Sequence, residues 1–184
     1  MIAFVTSNPH KYEEVSSMFL ESGIEVRWEK MKYEEIQADT TEEVSIDSCR
    51  KLTGRVKGDF FLEDTGLFIE SLNGFPGVYS SYVQKTIGNS GIIRLVSGKP
   101  PDAYFKTVIT AKVGGVIKQY TGIVKGSISG EERGSAGFGY DPIFVPEGGN
   151  KTLSEMSMEE KNEISHRSKA VRGFISDLAG NPRG

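Results

Sequence analysis

The stretch Phe60-Phe61-Leu62-Glu63-Asp64-Thr65-Gly66-Leu67-Phe68 decides how the rest of the chain is interpreted. Its three leading apolar residues predict a buried strand, and Thr65-Gly66 predicts a break at its end. The two carboxylates would then lie at the carboxyl end of a strand, where ligands bind in open α/β sheets. Adjacent strand residues point to opposite faces, so one carboxylate can face a site while the other supports it. This arrangement suits a hard cation such as Mg²⁺. On this stretch alone, a solvated acidic turn without a ligand explains the two carboxylates equally well.

The composition predicts one cytoplasmic domain. The chain has 184 residues, which suffices for one domain or for two lobes sharing a core, and no stretch of 1–184 resembles a separable linker. No apolar run approaches the length that spans a bilayer, and no signal-peptide pattern is present. The single Cys49 excludes an internal disulfide and fits a reducing compartment. The net charge of −3 argues against a general nucleic-acid binder, which would be basic.

The first residues predict a strand, a polar turn and a helix in succession. Residues 2–5 are apolar, Thr6-Ser7-Asn8 form the turn, and Asn8 followed by Pro9 is typical of a helix start. The free N–H groups of such a helix start, with Lys11 in its first turn, form a candidate phosphate site. A solvated lysine is the alternative, and the spacing is not that of a Walker A loop.

Capping and turn signals predict further elements. Thr40 and Glu43 form a capping-box pattern that opens a helix ending near Leu52. The Gly114-Gly115 pair predicts a tight hairpin between two long β runs. A helix is expected over 153–162.

Two later segments carry candidate binding residues. The glycine-rich segment ends in Phe138-Gly139-Tyr140-Asp141, and Asp141 precedes a proline, which predicts an extended carboxylate aimed at a ligand; a plain turn aspartate is the alternative. Ser165 is a candidate N-cap that brings His166 and Arg167 into the first turn of the last helix, with Lys161 shortly before. These three cations indicate a second anion site, although surface charge explains any one of them alone.

Taken together, these motifs resemble one known family. The sequence is similar to the inosine triphosphate pyrophosphatase (Ham1-like) family over essentially its whole length. Each motif is weak alone, but five of them in the family's order and at compatible spacing are specific. They are Thr6-Ser7-Asn8-x-x-Lys11, Glu63-Asp64-Thr65-Gly66-Leu67, Phe75-Pro76-Gly77-Val78-Tyr79-Ser80, Phe138-Gly139-Tyr140-Asp141-Pro142 and Glu160-Lys161-Asn162-x-x-Ser165-His166-Arg167.

The resemblance implies a fold, a reaction and an assembly. The fold would be α/β, with two lobes around a long, mixed, twisted β-sheet, flanking helices and an active site in the cleft between the lobes. The reaction would be Mg²⁺-dependent hydrolysis of noncanonical purine nucleoside triphosphates (ITP, dITP and XTP) to the monophosphate and pyrophosphate. The assembly would be a homodimer.

The resemblance also implies roles for individual residues. Asp64 would be the catalytic base for the attacking water and, with Glu35, would bind the metal; Glu63 is a further metal-ligand candidate. The phosphates would be held by Thr6, Ser7, Asn8 and Lys11, and Thr65 would contact the substrate. The base pocket would use Phe138, Gly139, Tyr140 and Asp141, with Phe138 stacking on the ring, and Lys161, His166 and Arg167 would complete the phosphate and base contacts.

The sequence departs from the family at one position and leaves alternatives open. Many relatives carry a helix lysine where this chain has Ser48-Cys49, so Arg50 or Lys51 is the candidate replacement. The choice of Glu35 over Glu34 rests on spacing across a loop of variable length. The rival interpretations are a Maf-like pyrophosphatase acting on pyrimidine or modified nucleotides, and a non-catalytic nucleotide- or RNA-binding module.

Overall fold

In the computed structural model, which describes residues 1–180, the chain forms one mixed sheet with helices packed against it. The strands are β1 (Ile2–Val5), β2 (Val26–Glu29), β3 (Phe60–Ile69), β4 (Pro76–Gly77), β5 (Asp102–Val113), β6 (Val116–Ile128) and β7 (Phe144–Pro146). The helices are α1 (Pro9–Glu21), α2 (Thr41–Leu52), α3 (Ser80–Thr86), α4 (Gly88–Val96), α5 (Met158–Ile164) and α6 (His166–Gly180).

The sheet changes from parallel to antiparallel at its middle. Its strand order is β2-β1-β3-β5-β6-β7, and the short β4 pairs with β3. Strand β1 runs parallel to β2 and β3, whereas β3, β5, β6 and β7 pair antiparallel in that order. The α/β class and the long mixed sheet expected from the sequence are therefore confirmed.

Strand β3 does not end where the sequence analysis predicted. It continues through Thr65 and Gly66 to Ile69, and all ten of its residues pair with β5. Gly66 does not break the strand but permits close packing, because a Cβ at this position would lie 2.6 Å from the carbonyl oxygen of Gly77 in β4. Glu63 and Asp64 consequently lie in the middle of a long strand rather than at its end.

That middle of β3 separates two hydrophobic regions, which define the two lobes. The first half of β3 packs in the first lobe, with Phe61 against α1 and α6 on one face and Leu62 against α2 on the other. Its last residues, including Leu67, pack in the second lobe with α3, α4 and β7. The polar residues Glu63, Asp64 and Thr65 lie between these cores.

Most other local predictions are confirmed. Gly114 and Gly115, both with positive φ, connect β5 to β6, and Thr40 with Glu43 completes the capping box of α2. Cys49 is fully buried in α2, as a core residue should be.

Two local predictions are wrong. The helix expected over 153–162 is a short 3-10 turn followed by α5, because Ser157 caps a new helix start with its own capping box. Asp141 opens a 3-10 turn instead of lying extended.

Within residues 1–180, no helix combines the length and apolarity needed to cross a membrane.

Candidate active site

A cavity of about 500 Å³ opens between the lobes, beside the polar middle of β3. Its wall includes nearly all the residues that the sequence analysis selected. They are Thr6, Ser7, Asn8, Lys11, Glu35, Glu63, Asp64, Thr65, Phe138, Gly139, Tyr140, Asp141, His166 and Arg167. Ser80, the last residue of the remaining motif, also lines the cavity, so all five motifs of the sequence reach one site.

The start of α1 forms one wall of the cavity. Asn8 caps the helix by accepting the N–H groups of His10 and Lys11, and Thr6 Oγ1 accepts the N–H of Asn8. These bonds hold the polar turn against the first helical turn as predicted, but they also engage the N–H groups that were expected to be free for a phosphate. The Lys11 ammonium lies 3.5 Å from Glu63 Oε1 and remains partly exposed to the cavity. This wall offers the positive end of a helix and a cation to an anionic ligand.

Glu63 is fully buried on the face of β3 that meets α6. Arg167 contacts it with two nitrogens, Nε at 3.1 Å and Nη2 at 3.3 Å, and the Thr65 hydroxyl also bonds to it. Burial alone would raise the pKa of Glu63, but the Arg167 and Lys11 charges hold the pKa well below its usual range. Both oxygens of Glu63 are thus engaged by protein groups, which leaves Asp64 and Glu35 as the carboxylates open to a metal.

Glu14, a residue that the sequence analysis did not select, joins the two buried cations. Lys161 donates to Glu14 Oε1 at 2.6 Å and to Asp141 Oδ2 at 2.7 Å, while Arg167 Nη1 donates to the other oxygen of Glu14. All four side chains are buried, so each charge needs a partner. The only sequence signal was an acidic residue beside Val15 on the inward face of α1.

This pairing corrects the expectation that Lys161 and Arg167 form a free cationic cluster. Their charges are balanced by carboxylates, and Lys161 does not line the cavity at all. Arg50 and Lys51, the candidate replacements for the family's helix lysine, do not line it either, and Lys51 pairs with Asp47. Two unpredicted lysines do line it, Lys32 and Lys85.

Asp64 faces the opposite side of β3, towards Glu35 and Tyr33. Its Oδ1 accepts the N–H of Thr65 at 2.9 Å. Burial raises the pKa of Asp64 to about 7, and the Glu35 and Glu63 charges add to the effect despite the opposing charge of Lys11. Burial and the same carboxylates also raise the pKa of Tyr33. This part of the cavity therefore has an excess of negative charge that a cation would relieve.

The carboxylates fit a magnesium ion that shares its coordination with a ligand. Glu35 lines the cavity together with Asp64, whereas the neighbouring Glu34 does not. Among residues 1–180, no group of three or more His, Cys, Asp or Glu side chains could hold a metal without other ligands. Mg²⁺ is commonly held by one or two carboxylates plus substrate phosphates, and this donor set meets that requirement.

His166 is a largely buried part of the cavity wall and connects to Glu63 through two threonines. Its Nδ1 lies 2.6 Å from Thr107 Oγ1, which lies 2.6 Å from Thr65 Oγ1, and Thr65 bonds to Glu63. The imidazole also stacks on Phe105, with ring centroids 4.5 Å apart. Burial, followed by the nearby Arg167 charge, holds the pKa of His166 well below its usual value, so the ring is neutral.

Phe138 forms another part of the cavity wall, where two charged side chains lie over its ring. The Lys161 ammonium and the Arg167 guanidinium lie 5.4 and 5.3 Å from its ring centroid. Asp141 Oδ2 accepts the Phe138 N–H at 2.9 Å, so this carboxylate oxygen fastens the loop. The His10 ring stacks on Phe138 with centroids 5.4 Å apart. The Phe138 ring is therefore in contact with His10 and with both cations, so a flat ligand that stacks on it would take the place of the His10 ring.

Comparison with known proteins places the chain in a well-defined group. The model of the Ham1 family matches residues 2–177. A curated dITP/XTP pyrophosphatase of Thermococcus kodakarensis is 54% identical over 98% of both chains, and one of Pyrococcus horikoshii is 50% identical over 98% of this chain and 97% of its own. Among solved structures, a HAM1 protein from Coxiella burnetii superposes with a TM-score of 0.85 at 26% identity, covering 98% of this chain and 100% of that one. The Ham1 protein of Staphylococcus aureus gives 0.79 at 28% identity, with 97% and 98% covered.

Proposed function

This chain belongs to the Ham1 family, and from that premise we propose that it hydrolyses noncanonical purine nucleoside triphosphates to the monophosphate and pyrophosphate. Its relatives at 40–54% identity are named dITP/XTP pyrophosphatases, which supports ITP, dITP and XTP as substrates. The same names favour this function over a Maf-like pyrophosphatase acting on pyrimidine nucleotides.

One observation carries the proposal: a single cavity combines open carboxylates, a helix start with Lys11, and an aromatic wall. A nucleoside triphosphate needs all three, since its phosphates require cations and the positive end of a helix while its base requires a flat apolar face. The retained Asp64 and Glu35 argue for catalysis rather than mere binding.

Asp64 is the proposed proton acceptor for the attacking water. A base must be ionised to accept a proton; without a metal the pKa of Asp64 is raised to about 7, and a bound cation would favour its ionised form. Attack at the α-phosphorus breaks its bond to the bridging oxygen and releases pyrophosphate. Lys11 and the positive end of the α1 dipole then face the phosphates as charge shifts to the leaving group.

Mg²⁺ is the proposed cofactor, held by Asp64 and Glu35. When bound, it supplies a positive charge that offsets the negative charge of the phosphates. The excess of carboxylate charge on this side of β3 supports its binding there.

The base would stack on Phe138 and meet His166 and Arg167 at its edge. A site built for the 6-oxo edge rejects adenine, because mismatched hydrogen-bonding groups are costly when buried.

Product analysis tests the proposed function. ITP, dITP, XTP and ATP are incubated separately with the protein, with and without Mg²⁺. We expect monophosphate and pyrophosphate from the first three, dependent on Mg²⁺ and far faster than from ATP, and no turnover by Asp64→Asn. Diphosphate with orthophosphate would show that a different bond is cleaved, and no turnover would refute the proposal.

We further propose a cytoplasmic homodimer that does not act on nucleic acid. A groove beside α3 is lined by exposed apolar side chains, including Phe75, Tyr79, Ile87 and Tyr82, the last of them 70% exposed. Such a patch is typical of a protein interface. The net charge of −3 disfavours nucleic acid as a partner. Light scattering should give twice the mass of the chain, and Tyr82→Glu should halve it; a monomeric parent protein would refute the dimer.

A further inference from the structure

The hydrogen bonds between Glu63 and His166 have a defined direction. The ion pairs of Glu63 keep it ionised, and a carboxylate has no proton to donate, so the Thr65 hydroxyl must donate to it. A hydroxyl has a single proton, so Thr65 must accept from Thr107. Thr107 has then used its own proton and must accept from Nδ1 of His166.

This direction determines the tautomer of His166. A neutral imidazole carries one proton, and the hydrogen bond made by one ring nitrogen decides which nitrogen holds it. The chain of threonines requires that proton on Nδ1. Nε2 therefore has a lone pair and acts as an acceptor.

Nε2 is the ring nitrogen that a ligand can reach. It forms no hydrogen bond within residues 1–180. It is also not one of the side-chain atoms of that range that are both fully buried and without a hydrogen-bond partner, so part of its surface is exposed. The side chain lines the cavity, although only 2% of the residue is exposed. The accessible part of His166 thus includes an acceptor with no partner of its own.

We propose that Thr65 and Thr107 are positioning residues that keep Nε2 of His166 an acceptor, which then accepts the N1–H of the purine base. The proposal rests on the proposed function and names the atom that selects the substrate. Hypoxanthine and xanthine carry a proton on N1, whereas N1 of adenine is a lone pair that would face the lone pair of Nε2. Guanine also carries N1–H, so this contact separates adenine from the oxo-purines but does not separate guanine from hypoxanthine.

The tautomer can be measured directly in the parent protein. The chain contains two histidines, so ¹⁵N-histidine labelling with long-range ¹H–¹⁵N correlation gives two ring spectra, and His10→Gln assigns them. We expect the pyrrole-type nitrogen of His166 to be Nδ1 and the pyridine-type nitrogen to be Nε2. Adding IMP should shift the Nε2 resonance upfield as it accepts a hydrogen bond, while AMP should leave it in place. A proton on Nε2, or no response to IMP, would overturn the proposal.

A pair of variants tests the consequence for selectivity. Thr107→Val removes the hydroxyl at similar volume, and Thr107→Ser retains it. We expect Thr107→Val to lower the ratio of kcat/KM for ITP over ATP by about tenfold or more, with the ITP to GTP ratio unchanged. Thr107→Ser should keep both ratios.

A purely structural role of Thr107 would instead lower kcat/KM for all three nucleotides alike, which would refute the assignment. If the protein hydrolyses no purine triphosphate, the proposed function fails, and the histidine spectrum still decides whether the tautomer is as stated.

Discussion

Replacing Asp64 with asparagine should stabilise the free protein at pH 8 while abolishing its activity. The pKa of Asp64 is raised from 3.8 to about 7, first by burial and then by the Glu35 and Glu63 charges. The folded state therefore holds a proton that the unfolded state releases between these two pH values. Stability is lost as pH rises through this window, and the loss is complete above pH 7. Asparagine resembles the protonated acid and carries no charge, so the variant does not lose this stability as the pH rises.

The size of the effect follows from the two pKa values. At about 1.4 kcal/mol for each pH unit, the full shift corresponds to about 4 kcal/mol. Water in the open cavity screens the charge, so we expect about 2 kcal/mol at pH 8 and a difference that vanishes near pH 4.

Urea unfolding in EDTA measures this difference. The single Trp28, which stacks on Tyr12 with ring centroids 4.6 Å apart, supplies the fluorescence signal. Asp64→Asn and the parent protein are compared from pH 4 to pH 8, with Glu34→Gln as the control because Glu34 is exposed and outside the cavity. If the variant were no more stable than the parent at pH 8, the raised pKa of Asp64 in the metal-free protein would be refuted.

Three other substitutions test the remaining parts of the site. Glu14→Gln leaves the buried cations short of one charge and should lower the free energy of unfolding by about 3 kcal/mol, whereas the exposed Glu13→Gln should not; equal urea midpoints would contradict the Glu14 pairing. The pKa of His166 is lowered in the fold, so below about pH 6.5 the unfolded state takes up a proton that the fold rejects. Thermal melting should therefore show the parent protein losing stability relative to His166→Gln between pH 7 and pH 5, and parallel profiles would count against a buried neutral ring. Phe138→Ala should raise KM for ITP about tenfold through lost stacking, while inhibition by inorganic tripolyphosphate, which has no base, should stay the same; an unchanged KM would rule out the stack.

Local sequence signals predicted an element correctly where the interaction that forms it joins residues close together in the sequence. The capping box of Thr40 and Glu43 and the Gly114-Gly115 turn depend on residues next to them, so both formed as expected. The break expected at Gly66 is absent because the role of this glycine depends on Gly77 in another strand. The helix expected over 153–162 is interrupted for a local reason, since Ser157 forms a capping box with Glu160 that starts a new helix at Met158.

The candidate site was predicted in its composition but not in its pairing. The motifs identified the residues of the wall, since each motif carries its own polar side chains. Nothing local could show that Glu14 and Lys161, 147 positions apart, form a buried pair. Thr107 likewise lies in a β run that carries no motif. Its role comes only from the pairing of β5 with β3, which places it opposite Thr65.

The uninterrupted course of β3 and β5 through both lobes limits how the cleft can move. Every β3 residue from Phe60 to Ile69 is paired with β5. Strand β6 pairs with β5 along the same length, so the lobes are joined by a stiff three-stranded ribbon, and no flexible peptide lies between them in these strands to act as a hinge. A ribbon of this kind resists bending within its own plane and yields most easily by changing its twist. Closure on a nucleotide should accordingly be a small twisting of one lobe against the other, with its axis near Asp64 and Thr65, so that the catalytic carboxylate moves least while the outer walls move most.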